Sequence, residues 1–241
     1  MKTTNNSILS IQHNNFHADY NSIKEGKNLK SLWLTIPDFC HLKCPYCFAS
    51  ANENPKSKKN LLDLSTYEDI LNQFAEMGGE FVGIPGDGEP FHPNNWSLTE
   101  FIINKCNTLK IKLAIFTTGD LIFFGVNATN NEIDRSKIEL IKDKDVVLLI
   151  KFNHSNPEIQ NKLVGNKNPK YAIRRDAAID ILINEYHLND NRKRIGLVTS
   201  IIKENSEKLE SNGKLEIVNI FERTIKDNLI FDCDTVLELG R

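Results

Sequence analysis

The sequence predicts an α/β fold, namely a partial (β/α)6 barrel of the TIM type with parallel strands. Short apolar runs alternate along the chain with segments whose apolar residues recur at helical spacing, which is typical of βαβ units. Unusual Cys, Gly, Thr and Asn residues follow directly after these apolar runs, and in parallel barrels the active site lies at the carboxyl ends of the strands. The 241 residues are enough for one such domain with a sizeable core.

Six apolar runs are interpreted as the strands of this barrel. The run 146–152 is almost continuously apolar, as expected of a strand that is buried on both faces. The others are 32–36, 80–84, 111–116, 195–202 and 229–231. Right-handed crossovers between consecutive strands then give a parallel sheet.

Five segments are interpreted as helices. The first starts at Ser65, where Ser65 to Glu68 has the pattern of a capping box, and ends at Gly78-Gly79. The other four are 98–109, 133–141, 171–186 and 215–225. Helices of this length fit between the predicted strands.

Composition excludes several classes of protein. The net charge of −2 gives no strong attraction to nucleic acid, and no apolar run has the length of a membrane span. The polar, Asn-rich start lacks the apolar core of a signal peptide. We therefore expect a cytoplasmic protein without a nucleic-acid or membrane partner. We expect a polar N-terminal extension over 1–30 and the barrel domain over 31–241, with no C-terminal extension after it.

Three of the five cysteines lie within eight residues, as Cys40, Cys44 and Cys47 with the spacing C-x3-C-x2-C. In a reducing compartment, clustered cysteines are metal ligands or catalytic groups rather than disulfides. A structural zinc site needs a fourth ligand, and His41 is adjacent to Cys40. Three thiolates without an obvious fourth ligand favour an iron–sulfur cluster with one open iron.

The segment from Cys40 to Cys47, with the aromatic Tyr46 before the last cysteine, resembles the signature of the radical S-adenosylmethionine (SAM) enzymes. The resemblance extends from about Leu32 to about Ser200. It implies that the three cysteines hold a [4Fe–4S] cluster whose open iron binds SAM. It also implies that one electron from the cluster cleaves SAM to methionine and a 5′-deoxyadenosyl radical, which abstracts hydrogen from the substrate. Tyr46 would approach the adenine, mainly through its backbone.

The segment Gly86-Asp87-Gly88-Glu89-Pro90 is similar to the Gly-Gly-Glu-Pro element that follows the second strand in this family, except at Asp87. The resemblance implies that its carbonyl groups and Glu89 accept hydrogen bonds from the SAM ammonium group. Without the cysteine motif, the same residues would indicate a tight turn.

Polar residues after the third and fourth strands complete the predicted site. Thr117-Thr118-Gly119 resembles the family's Thr-Asn-Gly turn, although a turn without a ligand is the equal alternative. Lys151 and Asn153 at the end of strand four are two residues apart, so their side chains point to the same face of the sheet. The resemblance implies contacts to SAM at this position. Thr199 and Ser200 on the fifth strand are weaker candidates, because hydroxyls at such positions are often core groups with satisfied hydrogen bonds. The histidines near the strand ends are interpreted as ordinary loop residues, namely His41, His92 and His154.

The predicted function is that of a radical SAM enzyme that acts on a peptide or a small molecule. The implied partners are SAM, that substrate and an electron donor such as flavodoxin or ferredoxin. Two alternatives stay open: a truncated or degenerate barrel that binds SAM without turnover, and a structural metal module. Neither would produce 5′-deoxyadenosine.

Overall fold

The computed structural model describes residues 29–51, 62–126, 132–165 and 169–235. The N-terminal extension predicted over 1–30 lies outside the described residues except for its last two positions. Both the extension and the domain limits therefore stay predictions. Within the described part of the chain, no helix combines the length and apolarity that a membrane crossing requires.

Six strands form one sheet in which every pair of neighbours is parallel. Their spatial order is the same as their order in the chain, β1 to β6, which is the arrangement of a half-barrel. The strands are β1 (Ser31–Trp33), β2 (Phe81–Ile84), β3 (Lys112–Thr117), β4 (Val146–Lys151), β5 (Ile195–Ile201) and β6 (Ile230–Thr235). The predicted α/β class and partial barrel are confirmed.

Helices connect the strands. The described helices are α1 (Leu64–Glu76), α2 (Pro93–Thr108), α3 (Ser136–Ile141), α4 (Pro157–Leu163), α5 (Tyr171–Asn184), α6 (Lys203–Ser206) and α7 (Glu216–Lys226), with a 3-10 turn at Asp120–Ile122 after β3. All five predicted helices exist, whereas α4, α6 and the 3-10 turn were not predicted. These three elements are short and carry no extended apolar periodicity.

Two apolar clusters separate the faces of the sheet. The larger one lies between the strands and the helices and includes Leu71 of α1, Ile102 of α2 and Leu148 of β4. The smaller cluster occupies the other, concave face and includes Val147 and Leu149. Because side chains alternate along a strand, Lys151 follows Val147 and Leu149 on the concave face. The end of β4 therefore directs a cation toward the inside of the half-barrel.

Several predicted boundaries differ from the structure for local reasons. Helix α1 is capped by Asp63, whose carboxylate accepts the Thr66 amide at 2.8 Å, so the predicted capping box at Ser65 is wrong. Helix α2 begins five residues before Leu98, at Pro93, with the His92 ring as its N-cap. Proline at the first helical position was the available signal.

Candidate active site

The three clustered cysteines lie in the segment that follows β1, and all three are partly buried free thiols. The Cys47 amide donates to the Cys44 carbonyl at 3.0 Å, and the Leu42 amide donates to the Cys40 sulfur at 3.4 Å. Burial raises the pKa of the Cys44 thiol to about 11, although nearby Lys151 opposes this shift. The Cys44 thiol therefore becomes a thiolate readily only when a metal replaces its proton, which suits a metal-cluster site.

The cysteine segment is anchored to the junction of α4 and α5. Leu42 is buried against Val164 and Tyr171, and the Lys43 amide donates to the Val164 carbonyl at 3.0 Å. Gly165 has φ +60°, and a Cβ atom there would lie 2.4 Å from the Lys43 carbonyl oxygen. Only glycine allows this close approach without displacing the cysteine segment.

A second anchor joins the cysteine segment to the loop after β2. The Glu89 amide donates to the Phe39 carbonyl at 2.8 Å. The fully buried Asn95 on α2 donates from Nδ2 to the carbonyls of Pro37, Phe39 and Glu89 at 3.0, 3.2 and 3.0 Å. Gly88 lies so close that a Cβ atom would be 2.1 Å from the Pro37 oxygen. Sequence reasoning missed Asn95, because an asparagine inside a helix gives no sign of contacts with a segment more than fifty residues earlier.

The Glu89 carboxylate joins the loops that follow β2 and β3. It accepts the Thr117 hydroxyl and the Thr118 amide at 2.7 Å each, and the Phe91 amide at 3.0 Å. Burial raises the pKa of Glu89, while the hydrogen bonds from Thr118 and Thr117 oppose the shift. Both carboxylate oxygens therefore already have protein donors, and Thr117 and Thr118 contact Glu89.

Asp87 differs from Glu89, since its Oδ2 atom is buried without a hydrogen-bond partner among the described residues. Burial raises the pKa of Asp87, and the neighbouring Asp38 carboxylate raises it further. Gly86, with φ +87°, gives the chain the turn that precedes Asp87. The Pro90 carbonyl accepts the Thr99 hydroxyl at 2.8 Å and so belongs to the scaffold. Among the described side chains of this loop, Asp87 is therefore the one with a buried oxygen left without a hydrogen-bond partner.

The polar residues at the end of β4 meet the cysteine segment at Tyr46. The Lys151 ammonium lies 4.6 Å from the centre of the Tyr46 ring, and Asn153 Nδ2 donates to the Tyr46 hydroxyl at 2.7 Å. The Ser200 amide in turn donates to Asn153 Oδ1 at 2.9 Å. Burial lowers the pKa of Lys151, while the three cysteines favour its cation. The Thr199 hydroxyl donates to the Phe152 carbonyl and is a satisfied core group.

His41 forms a buried pair that sequence reasoning did not identify. Its Nε2 atom lies 2.9 Å from Asp120 Oδ2, and Asp120 Oδ1 accepts the Thr118 hydroxyl at 2.8 Å. Burial disfavours the His41 cation, yet Asp120 holds the pKa of His41 well above its usual range. Burial also disfavours the Asp120 anion, yet His41 and Thr118 keep the pKa of Asp120 below its usual range. The pair therefore links the first cysteine to the loop after β3.

The other predicted histidines have different surroundings. His92 caps α2 by accepting the Asn94 amide at 3.2 Å, and its ring stacks on Phe39. His154 lies one residue beyond Asn153 and faces two glutamates rather than the cysteines.

The half-barrel with a segment of three free thiols at the carboxyl edge of its strands defines a radical SAM type of architecture. The family described as 4Fe-4S single cluster domain matches residues 27–172, which is more than half of the chain. The chain therefore belongs to this 4Fe-4S single cluster domain family within the radical SAM superfamily. The predicted cofactors, a [4Fe–4S] cluster and SAM, are confirmed at the level of the family.

Among curated proteins, the GTP 3′,8-cyclase of Actinobacillus pleuropneumoniae serotype 3 is 32% identical over 88 residues, covering 36% of this chain and 25% of the relative. An uncharacterized protein of Methanocaldococcus jannaschii is 29% identical over 190 residues, covering 76% of this chain and 56% of the relative. The chain thus spans between a quarter and just over half of the length of these relatives.

Among solved structures, Streptococcus suis SuiB bound to S-adenosylmethionine superposes with a TM-score of 0.61 at 19% identity. The match covers 94% of this chain and 45% of SuiB. SuiB bound to its precursor peptide SuiA gives the same TM-score at 20% identity, with 90% and 42% of the two chains covered. At these identities the likeness establishes the shared fold.

Proposed function

We propose that this chain is a radical SAM enzyme whose cluster is held by Cys40, Cys44 and Cys47. The observation that carries the proposal is the convergence of three partly buried free thiols with residues from the ends of β2 and β4. When bound, the reduced cluster would supply one electron for the cleavage of SAM to methionine and a 5′-deoxyadenosyl radical, which would abstract hydrogen from the substrate.

The donor set of the cysteine segment fits such a cluster. Three thiols on one short segment are too few for a closed structural zinc site. The Leu42 amide donates to the Cys40 sulfur, and hydrogen bonds to sulfur tune cluster potentials. The Lys151 cation interacts electrostatically with all three cysteines and would offset the negative charge of their thiolates.

The chain's own residues would bind and orient SAM. Asp87 would accept the SAM ammonium group through its unsatisfied Oδ2 atom, since both oxygens of Glu89 already have donors. Glu89, Thr117 and Thr118 would then hold the loop backbone in place. Tyr46, Lys151 and Asn153 would form the opposite side, with Lys151 available for the SAM carboxylate.

The proposed substrate is a peptide or a small molecule, as the sequence suggests. The electron donor would be a small redox protein such as flavodoxin or ferredoxin. The contacts of Gly86, Gly88 and Pro90 with SAM would come from the backbone, because these residues offer no polar side chain.

The test is anaerobic reconstitution with iron and sulfide, followed by dithionite and SAM and an assay for 5′-deoxyadenosine. We expect product from the wild-type protein and none from the Cys44→Ala variant, whose cluster site lacks one ligand. The Cys106→Ala variant is the matched control, because Cys106 is buried in the apolar core away from the clustered thiols.

Other outcomes separate the alternatives. A loaded cluster that binds SAM without forming product would favour a barrel without turnover. Zinc in place of iron would favour a structural metal module. SAM cleavage by Cys44→Ala at the wild-type rate would show that the cysteine assignment is wrong.

A further inference from the structure

A second group of potential metal ligands lies beyond the end of β4. It consists of His154, Glu210 in the segment before α7, and Glu216 at the first position of α7. One nitrogen of the imidazole and one oxygen of each carboxylate lie within 4.8 Å of one another. His154 Nε2 is 3.8 Å from Glu210 Oε1, and Nδ1 is 3.8 Å from Glu216 Oε1. A single ion with bonds of about 2.1 Å can bridge two ligand atoms at such a separation.

The imidazole supplies an observation that is independent of the acidic residues. His154 is 1% exposed, and its Nε2 atom has no hydrogen-bond partner among the described residues. Glu210 Oε1 is too distant for a hydrogen bond at 3.8 Å, yet it is the group that Nε2 faces. A buried imidazole nitrogen without a partner costs free energy, and a ligand between Nε2 and Glu210 would remove that cost.

We propose that His154 and Glu210 ligate a divalent transition-metal ion, with Glu216 as the carboxylate that orients the imidazole. Nδ1 accepts the Asn156 amide at 3.0 Å, so the neutral ring carries its proton on Nε2. Ion binding at Nε2 would require that proton to move to Nδ1, which lies 3.8 Å from Glu216 Oε1, an oxygen that also accepts the Ser155 amide at 2.7 Å. The Asn156 amide, which belongs to an exposed residue, would then exchange its hydrogen bond to Nδ1 for one to water. Carboxylate–histidine–metal arrangements of this kind are common in proteins.

The ligand chemistry indicates which ions the site would take. One imidazole, one carboxylate and water are borderline to hard donors, which suit Mn²⁺ or Zn²⁺. Glu210 is about one-third exposed, so an ion can reach the buried imidazole from solvent. The site differs from the cysteine segment, whose soft thiolates select iron–sulfur clusters. The bound ion would connect the residue after Asn153 to the start of α7.

The experiment is a titration of the cluster-loaded protein with Mn²⁺, monitored by the electron paramagnetic resonance of free Mn²⁺. Mn²⁺ is chosen because thiolates bind it poorly, so the cysteine segment does not compete. We expect one saturable Mn²⁺ per chain, and an electron spin-echo envelope modulation from one directly bound nitrogen. Zn²⁺ should displace the Mn²⁺.

The variants separate this site from general surface binding. Glu210→Gln and His154→Gln should each weaken Mn²⁺ binding at least tenfold, and His154→Gln should remove the nitrogen modulation. Glu216→Gln should weaken binding by about tenfold to a hundredfold, as outer ligands do. The matched control is Glu207→Gln, which removes an exposed carboxylate three residues before Glu210 and should leave binding unchanged.

Absence of saturable binding would overturn the proposal, as would equal affinities of the wild-type protein and the Glu210→Gln variant. Binding without the nitrogen modulation would show a carboxylate surface site instead. The Glu210 side chain is about one-third exposed, so its variant is expected to fold even where the buried residues do not tolerate change.

Discussion

The two acidic side chains of the loop after β2 have opposite hydrogen-bonding states, although they are separated by a single glycine. Glu89 accepts three donors from the loops after β2 and β3, whereas Asp87 keeps a buried oxygen without a partner in the described structure. Family resemblance assigns the SAM contact to Glu89, because sequence alone cannot show which carboxylate is already satisfied. We therefore propose Asp87 as the acceptor of the SAM ammonium group and Glu89 as the residue that holds the loop.

The substitution Asp87→Asn should weaken SAM binding about tenfold or more, because a hydrogen bond to a charged group contributes about 1.5–3 kcal/mol. Iron content should not change, since the described electrostatic neighbours of Asp87 are Asp38 and Tyr67. SAM affinity of the cluster-loaded variant, measured by isothermal titration under anaerobic conditions, tests this.

The substitution Glu89→Gln should instead reduce the free energy of unfolding, by about 1–3 kcal/mol for a donor left without its acceptor. The amide nitrogen of glutamine cannot accept from Thr117 or Thr118, so one of these donors loses its partner. Urea unfolding of the cluster-free protein measures the loss. If Glu89→Gln and Asp87→Asn gave the same stability and the same SAM affinity, the division of roles between them would be wrong.

The buried pair of His41 and Asp120 leads to a stability prediction at a position that sequence reasoning treated as ordinary. Their side chains are 6% and 5% exposed, so His41→Ala leaves the Asp120 carboxylate buried without its imidazole partner, although the Thr118 hydroxyl and the Asp120 amide still donate to it. Removing one partner of a buried pair costs about 3–5 kcal/mol. Chemical unfolding should detect this loss. The double variant His41→Ala/Asp120→Ala should restore part of the stability, and a double variant less stable than His41→Ala would contradict the pairing.

At the scale of whole elements, the strands and the start of α5 were predictable, whereas the starts of α1 and α2 were not. The run over β4 is apolar at five consecutive positions, and burial on both faces of the sheet requires that pattern. Helix α2, by contrast, begins with Pro-Asn-Asn, whose polar residues carry no apolar periodicity. The N-cap of α1 was placed two residues late, because Asp63 rather than Ser65 caps the helix. Capping depends on which side chain reaches a free amide, and several neighbouring residues can satisfy the same sequence pattern.

The contact between the cysteine segment and the loop after β2 depends on the absence of a side chain at Gly88. In Gly88→Ala the new Cβ atom would lie 2.1 Å from the Pro37 oxygen and 2.9 Å from the Phe39 oxygen, so the two segments must separate. We expect a variant with wild-type secondary structure that loses its cluster to a chelator much faster than the wild type. Circular dichroism and the decay of the cluster absorbance measure the two properties.

Gly213→Ala is the control for Gly88→Ala. Gly213 has φ +76° with no atom within 4 Å of a built Cβ, so alanine there costs about 1–2 kcal/mol of backbone strain without touching the site. Its cluster should decay at the wild-type rate. Rapid cluster loss from Gly213→Ala would mean that lower stability alone, rather than displacement of the cysteine segment, explains the result for Gly88→Ala.

For the molecule as a whole, some residues of the candidate site are close together in the sequence, whereas others are brought together only by the fold. The cysteine triplet lies within eight residues and was readable directly. Asn95 and Asp120 contact a segment that precedes them by more than fifty residues, and only the parallel half-barrel brings these segments together. The contacts of Lys151 and Asn153 with Tyr46 also span more than a hundred residues, yet their position at the end of a strand made them predictable.

This arrangement implies that the cluster stabilises the whole half-barrel rather than one loop. The cysteine segment contacts the junction of α4 and α5 through Leu42 and Lys43, and the loop after β2 through Phe39. A ligand that binds the folded protein more tightly than the unfolded chain raises the free energy of unfolding. Cluster-loaded protein should therefore melt at a higher temperature than cluster-free protein. Hydrogen exchange should also slow at the amides of Lys43 and Glu89, which donate to the anchoring carbonyls.

The Cys44→Ala variant treated with iron and sulfide controls for nonspecific effects of the reagents and should melt like the cluster-free protein. Amides in α7 are distant from the cysteine segment. Their exchange rates should change only where exchange occurs through global unfolding. If the loaded and cluster-free proteins melted together and differed only in exchange at the cysteine segment itself, the anchors would be too weak to transmit the stabilisation. The joining of three loops by Asn95, Glu89 and His41 argues for the shared response, because none of these segments can move without breaking a buried hydrogen bond.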